Sequence, residues 1–507
     1  MEYNYTDVSR IRVRYSTIVN FLSHLFKLVT STLFVIIITR RLDVGEYGVI
    51  ATLTGITSSV SIIYSFWNWF TDRMYARGRS SYVATAFSLS LIYAPIGYVL
   101  ALIWGYYYTS TIGIDILVFA LGSLIVVINA FNIFLRRIVL VTRPYIIGYV
   151  GTVRSIVRVL LVYTLLNIVL LRVIGVVLTL VISLSIATTL YYVMLRLNKV
   201  YVPLPSIDKE EVKRVFKNAY IPLTTSLTSL AVNIDKPVLT ALTASTEPAA
   251  YLNVAYIPYS IVTQGVFAFT SSLKAKLLRV PSSVDIEDVL RLSIIINLGL
   301  ISVFMFMGKT VLSMLNPEYI PVYSLFLIFT AASIIRIFAS IFATIVVALE
   351  RKDLYADGLA LVSTPLYKVL VVALTTSLLR LLIGVAGAIY FIYIGSKDPI
   401  QIITFFPIGL LIADTMYLIY SYREAIKKIK FRIPYRELVA SLLGITASGL
   451  VVYINKYNEI VIESFLRDIS KLLFAVSILL AIYFLVVLLV SPWFRRFIIN
   501  SIKRYIR

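Results

Sequence analysis

Residues 145–168 read YIIGYVGTVRSIVRVLLVYTLLNI, an apolar stretch long enough to cross, as a helix, a hydrocarbon core of roughly 30 Å. Arg154 and Arg158 lie near its middle. A guanidinium at mid-bilayer depth costs roughly 2.5–3.5 kcal/mol on insertion scales, so such residues face a protein interior or a watery cavity. Their spacing of four sets both on one helical face, about 40° apart. Together they offer two forks of donors, which suits an oxyanion such as a phosphate. Snorkelling to an interface is the competing account, but Arg158 lies on the order of 20 Å along the helix from Tyr145. The stretch therefore predicts a cationic cavity inside a membrane through which an anionic headgroup crosses.

The rest of the composition agrees with a membrane setting. Of 507 residues, 60% are hydrophobic and 14% charged, and the mean hydropathy is +0.91. Soluble domains carry about 25% charged residues, so little of this chain is built to face water. There is no cysteine and one histidine, His24. This excludes disulfides, thiol catalysis and any Cys- or His-rich metal centre. No metal or cofactor is expected. The net charge of +22 would point to nucleic acid in a soluble protein, but in a membrane protein cations gather in cytoplasmic loops. Arg10, Arg12 and Arg14 precede an apolar run too long for a signal-peptide core, which reads as the first span.

Apolar runs predict spans near 15–39, 47–70, 82–108, 114–135, 145–168 and 173–195, then 218–242, 249–272, 289–309, 321–349, 354–379 and a twelfth ending near Tyr422. Two more follow near 436–454 and 468–490. The expected fold is an all-α polytopic membrane protein of about 14 transmembrane helices. It divides into an N-terminal lobe (1–197), a cytoplasmic amphipathic linker (198–217), a C-terminal lobe (218–430), and two extra spans with a basic tail (431–507). Roughly 32 of the 47 Lys and Arg fall on the termini and one set of alternate loops, against about 9 on the opposite set. Both termini are therefore expected in the cytoplasm of a plasma-membrane protein. Between Gly384 and Tyr422 the chain is too long for one span, which leaves an external insertion or a broken helix.

In the linker, Ser206 reads as an N-cap ahead of Asp208, Glu210 and Glu211, with Lys213, Arg214 and Lys217 closing the turn. Ile207, Val215 and Phe216 are expected in the bilayer interface.

Six cations remain within spans: Lys27, Arg154, Arg158, Lys236, Arg336 and Lys368. At an offset near 209, Lys27 meets Lys236, Arg158 meets Lys368, Arg172 meets Arg380 and Gly175 meets Gly384, which reads as a repeat of two six-helix lobes with equal orientation. Thr17, Asn20, His24, Lys27 and Ser31 form a polar stripe on the first span, answered by Ser226, Ser229, Asn233, Lys236 and Thr240 on the seventh. Such stripes glue helices together or line a watery path.

His24 reads as a helix–helix hydrogen-bonding group or a proton relay. Adjacent helical positions do not face each other, so Asp235 is expected to pair away from Lys236. Asp235, Asp414 and, at a cytoplasmic end, Asp357 are the candidate coupling carboxylates. Arg336 and Lys368 are expected midway along their spans, lining the cavity. Trp67, beside Asn68 and Trp69, reads as an interfacial anchor. Asp285, Glu287 and Asp288 fit a first helical turn better than a metal or glycosyl-transfer site. No glycine-rich phosphate loop or zinc-spaced cluster occurs.

The junction Arg40, Arg41, Leu42, Asp43, Val44, Gly45, Glu46, Tyr47 and Gly48 resembles that between the first two spans of Wzx-type polysaccharide flippases. Thr246 to Tyr251 is a degraded copy lacking the glycine. Asn316–Pro317–Glu318–Tyr319 and the Gly384 to Ala388 run are similar to that family as well. The resemblance implies the multidrug/oligosaccharidyl-lipid/polysaccharide exporter superfamily, whose lobes rock about a central cavity. It implies a transporter rather than an enzyme, with a polyprenyl-linked, pyrophosphate-bearing glycan as substrate, membrane lipids around it, and a functional link to a glycan polymerase or ligase. Drug-exporting relatives place a carboxylate in the first span, where this chain has His24 and Lys27. Two rival readings are a cation-coupled multidrug exporter of the same fold, working through Asp235 and Asp414, and a membrane glycosyltransferase or polymerase.

Overall fold

Apolar runs of membrane-spanning length, several of them closed by side-chain caps, fold as helices throughout the computed structural model, which describes residues 13–217, 219–277, 282–350, 362–463 and 465–506. The protein is an all-α, multi-pass membrane protein. Among the described residues ten helices are each long and apolar enough to cross a membrane, or up to eleven if the bent pair Val44–Ser61 and Ile63–Ala76, 41° at its break, counts as one.

The helices fall into two units, Met1–Ala250 and Tyr251–Arg507. In the first, α1 (Val13–Arg41) leads into α2 (Val44–Ser61), α3 (Ile63–Asn68), α4 (Thr71–Ala76), α5 (Ser80–Ile112), α6 (Ile116–Thr142), α7 (Tyr145–Asn167) and α8 (Arg172–Leu197). Then come α9 (Lys209–Lys217), α10 (Tyr220–Asn233) and α11 (Asp235–Thr243). α1 packs along α7, α6 against α5 and α8, and α7 against α8. Phe134, Ile138, Ile146, Val150 and Leu195 close a core where α6, α7 and α8 meet.

The 40–48 junction is fixed locally. Asp43 caps α2 by accepting from the Glu46 amide at 2.8 Å, and Glu46 accepts from the Asp43 amide. Such a capping box satisfies two otherwise orphaned donors. Arg172, at the start of α8, spans both carboxylates at 3.2 and 2.7 Å. Gly48 has no side chain because the Thr246 backbone lies against it. The Thr246 hydroxyl donates to the Gly45 carbonyl at 2.7 Å.

The expected seventh span is not one helix. Pro237 cannot donate to the Asn233 carbonyl, and its ring crowds that carbonyl. α10 and α11 meet at Ile234 as a result. The break is seated on its neighbours: the Tyr108 hydroxyl donates to the Pro237 carbonyl at 2.6 Å, Thr240 bonds Thr52 at 2.7 Å, and Gly55 packs on Pro237.

The linker is docked on α5. α9 starts at Lys209, with Asp208 accepting from the Glu210 amide, instead of after Ser206. Ser206, Asp208 and Glu211 bond Ser88, Thr85 and Ser81 of α5, and Val215 is buried. Ile207 and Phe216 stay exposed.

The second unit follows α12 (Glu247–Ala255) with α13 (Ile257–Leu277), α14 (Ser283–Leu315), α15 (Tyr323–Leu349), α16 (Pro365–Tyr393), α17 (Pro399–Ile403), α18 (Phe405–Lys428), α19 (Tyr435–Ile454), α20 (Phe465–Val490) and the amphipathic α21 (Pro492–Ile506). α15 packs against α13 and α18, α16 against α18, and α14 against α19. Residues 384–422 resolve into the end of α16, a short turn, and a helix interrupted at Thr404 between α17 and α18. The broken-helix alternative is the one observed.

The second half repeats the helix order of the first, but in a different register from that read off residue types. α2 and α12 start 203 positions apart, at Val44 and Glu247, as do the 33-residue helices α5 and α14 at Ser80 and Ser283. At that register Lys27 meets Leu230, and Gly384 sits inside α16 whereas Gly175 opens α8. The coincidence of cations at 209 is one of residue type, not of helix position.

Candidate functional site

The arginine pair of α7 faces α1. Nη2 of Arg158 donates to the Ser31 hydroxyl at 2.9 Å, and the guanidinium lies 4.3 Å over the Phe34 ring. The Lys27 ammonium occupies the space that a side chain at Gly151 would fill. Ser23, on the same face of α1, donates to the Gly148 carbonyl at 2.8 Å and accepts from Thr152. On this face of α1 the Ser23 and Ser31 hydroxyls join the helix to α7, and the Lys27 ammonium fills the seam between them.

Arg136 of α6 and Tyr191 of α8 lie within electrostatic range of Arg154, and Arg136 of Lys27 as well. By helix rise, Arg136 stands about 9 Å from the α6 end at Thr142, Arg154 about 14 Å from the neighbouring α7 start, and Arg158 about 20 Å. The cations thus form a ladder that climbs from one end of the unit. Among the described residues no carboxylate pairs with Lys27, Arg136, Arg154 or Arg158. The Nε atoms of both α7 arginines are buried with no acceptor among the described residues. Four neighbouring cations, of which Lys27, Arg154 and Arg158 are half-buried and Arg136 is exposed, are an arrangement that an anion would stabilise. Arg136 was not singled out by sequence, because it falls at the edge of an apolar run and reads as a loop residue.

Lys236 behaves otherwise. The break at Ile234 places Asp235 in the first turn of α11, and the Lys236 ammonium comes within 3.5 Å of Asp235 Oδ1. The expectation that these neighbours turn away holds only for an uninterrupted helix, and is corrected here. Asn233, at the end of α10, spends its amide on the Ser229 carbonyl at 2.7 Å.

In the second unit Arg336 is an ion-paired residue. Its Nη1 lies 3.1 Å from Asp414 Oδ1, and the Tyr259 hydroxyl donates to Oδ2 at 2.7 Å. Tyr417 lies beneath the guanidinium, and Arg380, buried in α16, stands over Tyr256. Asp414 is therefore already held by a cation and a hydroxyl. Arg380, one position past the expected eleventh span, is a buried member of this network.

Lys368 lies in the first turn of α16 and is exposed. It had been expected midway along a span, but the helix starts at Pro365, capped by Thr364, rather than near 354. Asp357 and the side chains of Asn20 and His24 lie outside the described residues.

Trp67 is no interfacial anchor. It is buried, and its Nε1 donates to Ser90 Oγ at 2.8 Å, which also accepts from Asn68 at 2.9 Å. The acidic trio of α14 is used structurally. Asp285 donates its amide to the Ser282 cap, Glu287 accepts from the Arg432 amide, and Asp288 takes Arg291 and the Trp493 indole. Among the described residues no cluster of three or more His, Asp or Glu is spaced to hold a metal.

Neither a family model nor a curated protein matches the sequence. Solved structures do. The chain is similar to an inward-facing multidrug resistance MATE family transporter of the MOP superfamily, with a TM-score of 0.57 at 14% identity over 81% of this chain and 98% of that one. The outward-facing conformation of such a transporter gives 0.54 at 15% identity, over 82% and 96%. A MATE in the straight conformation gives 0.53 at 14% identity, over 83% and 96%. The chain has the MATE transporter fold. Identities this low speak for the MATE architecture and leave substrate to the side chains.

Proposed function

We propose that the protein is a flippase that moves a polyprenyl-(pyro)phosphate-linked oligosaccharide from the cytoplasmic to the outer leaflet by alternating access. The observation that carries this reading is the cationic ladder Arg136, Lys27, Arg154 and Arg158, which has no carboxylate partner among the described residues. A phosphate-bearing headgroup would supply the missing charge, and guanidiniums can hold it in bidentate fashion. Moving about two negative charges outward across an inside-negative membrane would gain roughly 4–5 kcal/mol per 100 mV. A coupling ion is then not required. The similarity to both inward-facing and outward-facing MATE structures supports alternating access. No bond is made or broken, and both termini would lie in the cytoplasm.

A second reading, a cation-coupled multidrug exporter, is favoured by the multidrug transporter among the similar structures. It needs a carboxylate that exchanges partners, whereas Asp414 is held by Arg336 and Tyr259, and Asp235 by Lys236. The two readings separate in vesicles containing the purified protein, offered a fluorescent polyprenyl-pyrophosphate glycan in one set and a fluorescent organic cation in the other. Glycan transfer without cation expulsion supports the flippase. Expulsion of the cation, abolished by Asp414→Asn and unaccompanied by glycan transfer, supports the exporter.

A further inference from the structure

In the second unit a groove of about 400 Å³ lies among α14, α15 and α18, with Leu290, Phe338, Phe342 and Ile419 in its walls and Arg423 as the charged residue of its lining. α15 and α18 run parallel, because Arg336 bonds Asp414 and Lys428 bonds Glu350 at the same separation of 78 positions. Ile412, Met416 and Ile419 are exposed and follow one another by a turn on the face of α18 that leads to Arg423. By helix rise that stripe is about 16 Å long, the depth of one leaflet's hydrocarbon (~15 Å). Arg423 stands about 8 Å before the end of α18 at Lys428. Lys427, Lys428 and Lys430 mark that end as the edge of the hydrocarbon.

The mouth of the groove is built by the segment between α18 and α19. From Ile429 to Ile433 the chain alternates: Ile429, Phe431 and Ile433 are half-buried, whereas Lys430 and Arg432 are exposed. Phe431 stacks on Phe342 with 5.7 Å between centroids, and the Arg432 amide donates to Glu287 at 2.9 Å, which pins the segment to α15 and α14. Carboxylates at this end are already matched: Glu424 by Lys427 at 2.6 Å, Glu350 by Lys428 at 3.0 Å, and Glu287 and Asp288 by Arg291. Arg423, Lys430 and Arg432 have no carboxylate partner among the described residues. An apolar track of leaflet depth thus ends at an unmatched cation, with two more on the adjoining segment.

We propose that this groove is a site for an anionic phospholipid of the bilayer, with one acyl chain along Ile412, Met416 and Ile419 and the phosphate on Arg423, in the field of Lys430 and Arg432. Charge complementarity selects the occupant. A zwitterionic lipid covers the same walls but leaves the surplus positive charge unanswered, and a soluble anion answers the charge but leaves the apolar track bare. The site serves the surrounding bilayer rather than the cargo, and rests on neither transport reading.

The test uses the full-length protein in nanodiscs that carry a diazirine in an acyl chain of either phosphatidylglycerol or phosphatidylcholine, with labelled peptides mapped by mass spectrometry. Phosphatidylglycerol is expected to label residues 338–342 and 412–423 about fivefold more than phosphatidylcholine does, the preference that one cation supplies near an anionic headgroup, each normalised to label at the exposed Leu382. Arg423→Gln should bring the two probes level, and Ile419→Trp, which fills the groove, should lower label from both. Where either variant fails to fold by thermal unfolding, Lys430→Gln with Arg432→Gln takes its place and should at least halve the preference. Equal labelling by the two probes in wild type, or a preference unmoved by these variants, overturns the proposal. So does displacement of the phosphatidylglycerol label by unlabelled polyprenyl phosphate at equal concentration, which would make the groove a site for an isoprenoid carrier.

Discussion

Arg158 of α7 donates to Ser31 of α1 at 2.9 Å, a neutral hydroxyl where a buried arginine would ordinarily have a carboxylate. Ser31 orients the guanidinium without discharging it, so the positive charge stays available to a ligand. Ser31→Ala should lower stability by about 1–3 kcal/mol, because a hydrogen bond to a charged group is lost. It should also weaken binding of a pyrophosphate-bearing glycolipid severalfold, by letting the fork swing. Titration of the protein with such a lipid checks this, and unchanged affinity would show that Arg158 does not depend on Ser31 for its aim.

Gly151 makes room for the Lys27 ammonium. Replacing it with alanine improves helix propensity by roughly 0.8–1.0 kcal/mol, yet it pushes the ammonium out of the seam. The expected outcome is an undiminished unfolding temperature together with slower glycolipid transfer. Transfer at the wild-type rate would remove Lys27 from the path.

Arg336 and Asp414 should behave as a structural pair. Arg336→Leu strands a buried carboxylate and should cost about 3–5 kcal/mol, while Arg336→Met combined with Asp414→Leu should recover most of that. Thermal unfolding in detergent distinguishes the cases. A double variant no more stable than the single one would mean that the pair does more than neutralise itself.

Ser90 accepts from both Trp67 and Asn68. Ser90→Ala leaves two buried donors unmet and should destabilise by about 1–3 kcal/mol. A smaller shift in thermal unfolding would indicate that one donor finds another acceptor.

The helices were legible because membrane spans advertise themselves as apolar runs. The arginine pair stood out for the opposite reason, as two charges whose placement inside an apolar stretch carries a cost. What misled was helix punctuation. Pro237 breaks the seventh span and lets Asp235 reach Lys236, and Thr364–Pro365 is a cap followed by a first-turn proline, which moves Lys368 from mid-span to a helix end. Both signals were in the residues. Two further placements depended on tertiary contacts that no local pattern records: Arg380 turned into a tyrosine-lined network, and Trp67 was claimed by a serine 23 positions away.

The central claim is that the ladder of α1, α6 and α7 carries the anionic headgroup. Leaflet transfer of a fluorescent polyprenyl-pyrophosphate glycan, in vesicles of wild type and of Arg154→Ala with Arg158→Ala, tests it most directly. The account predicts transfer by wild type that is lost in a correctly inserted and folded double variant. Transfer at the wild-type rate in that variant would contradict it.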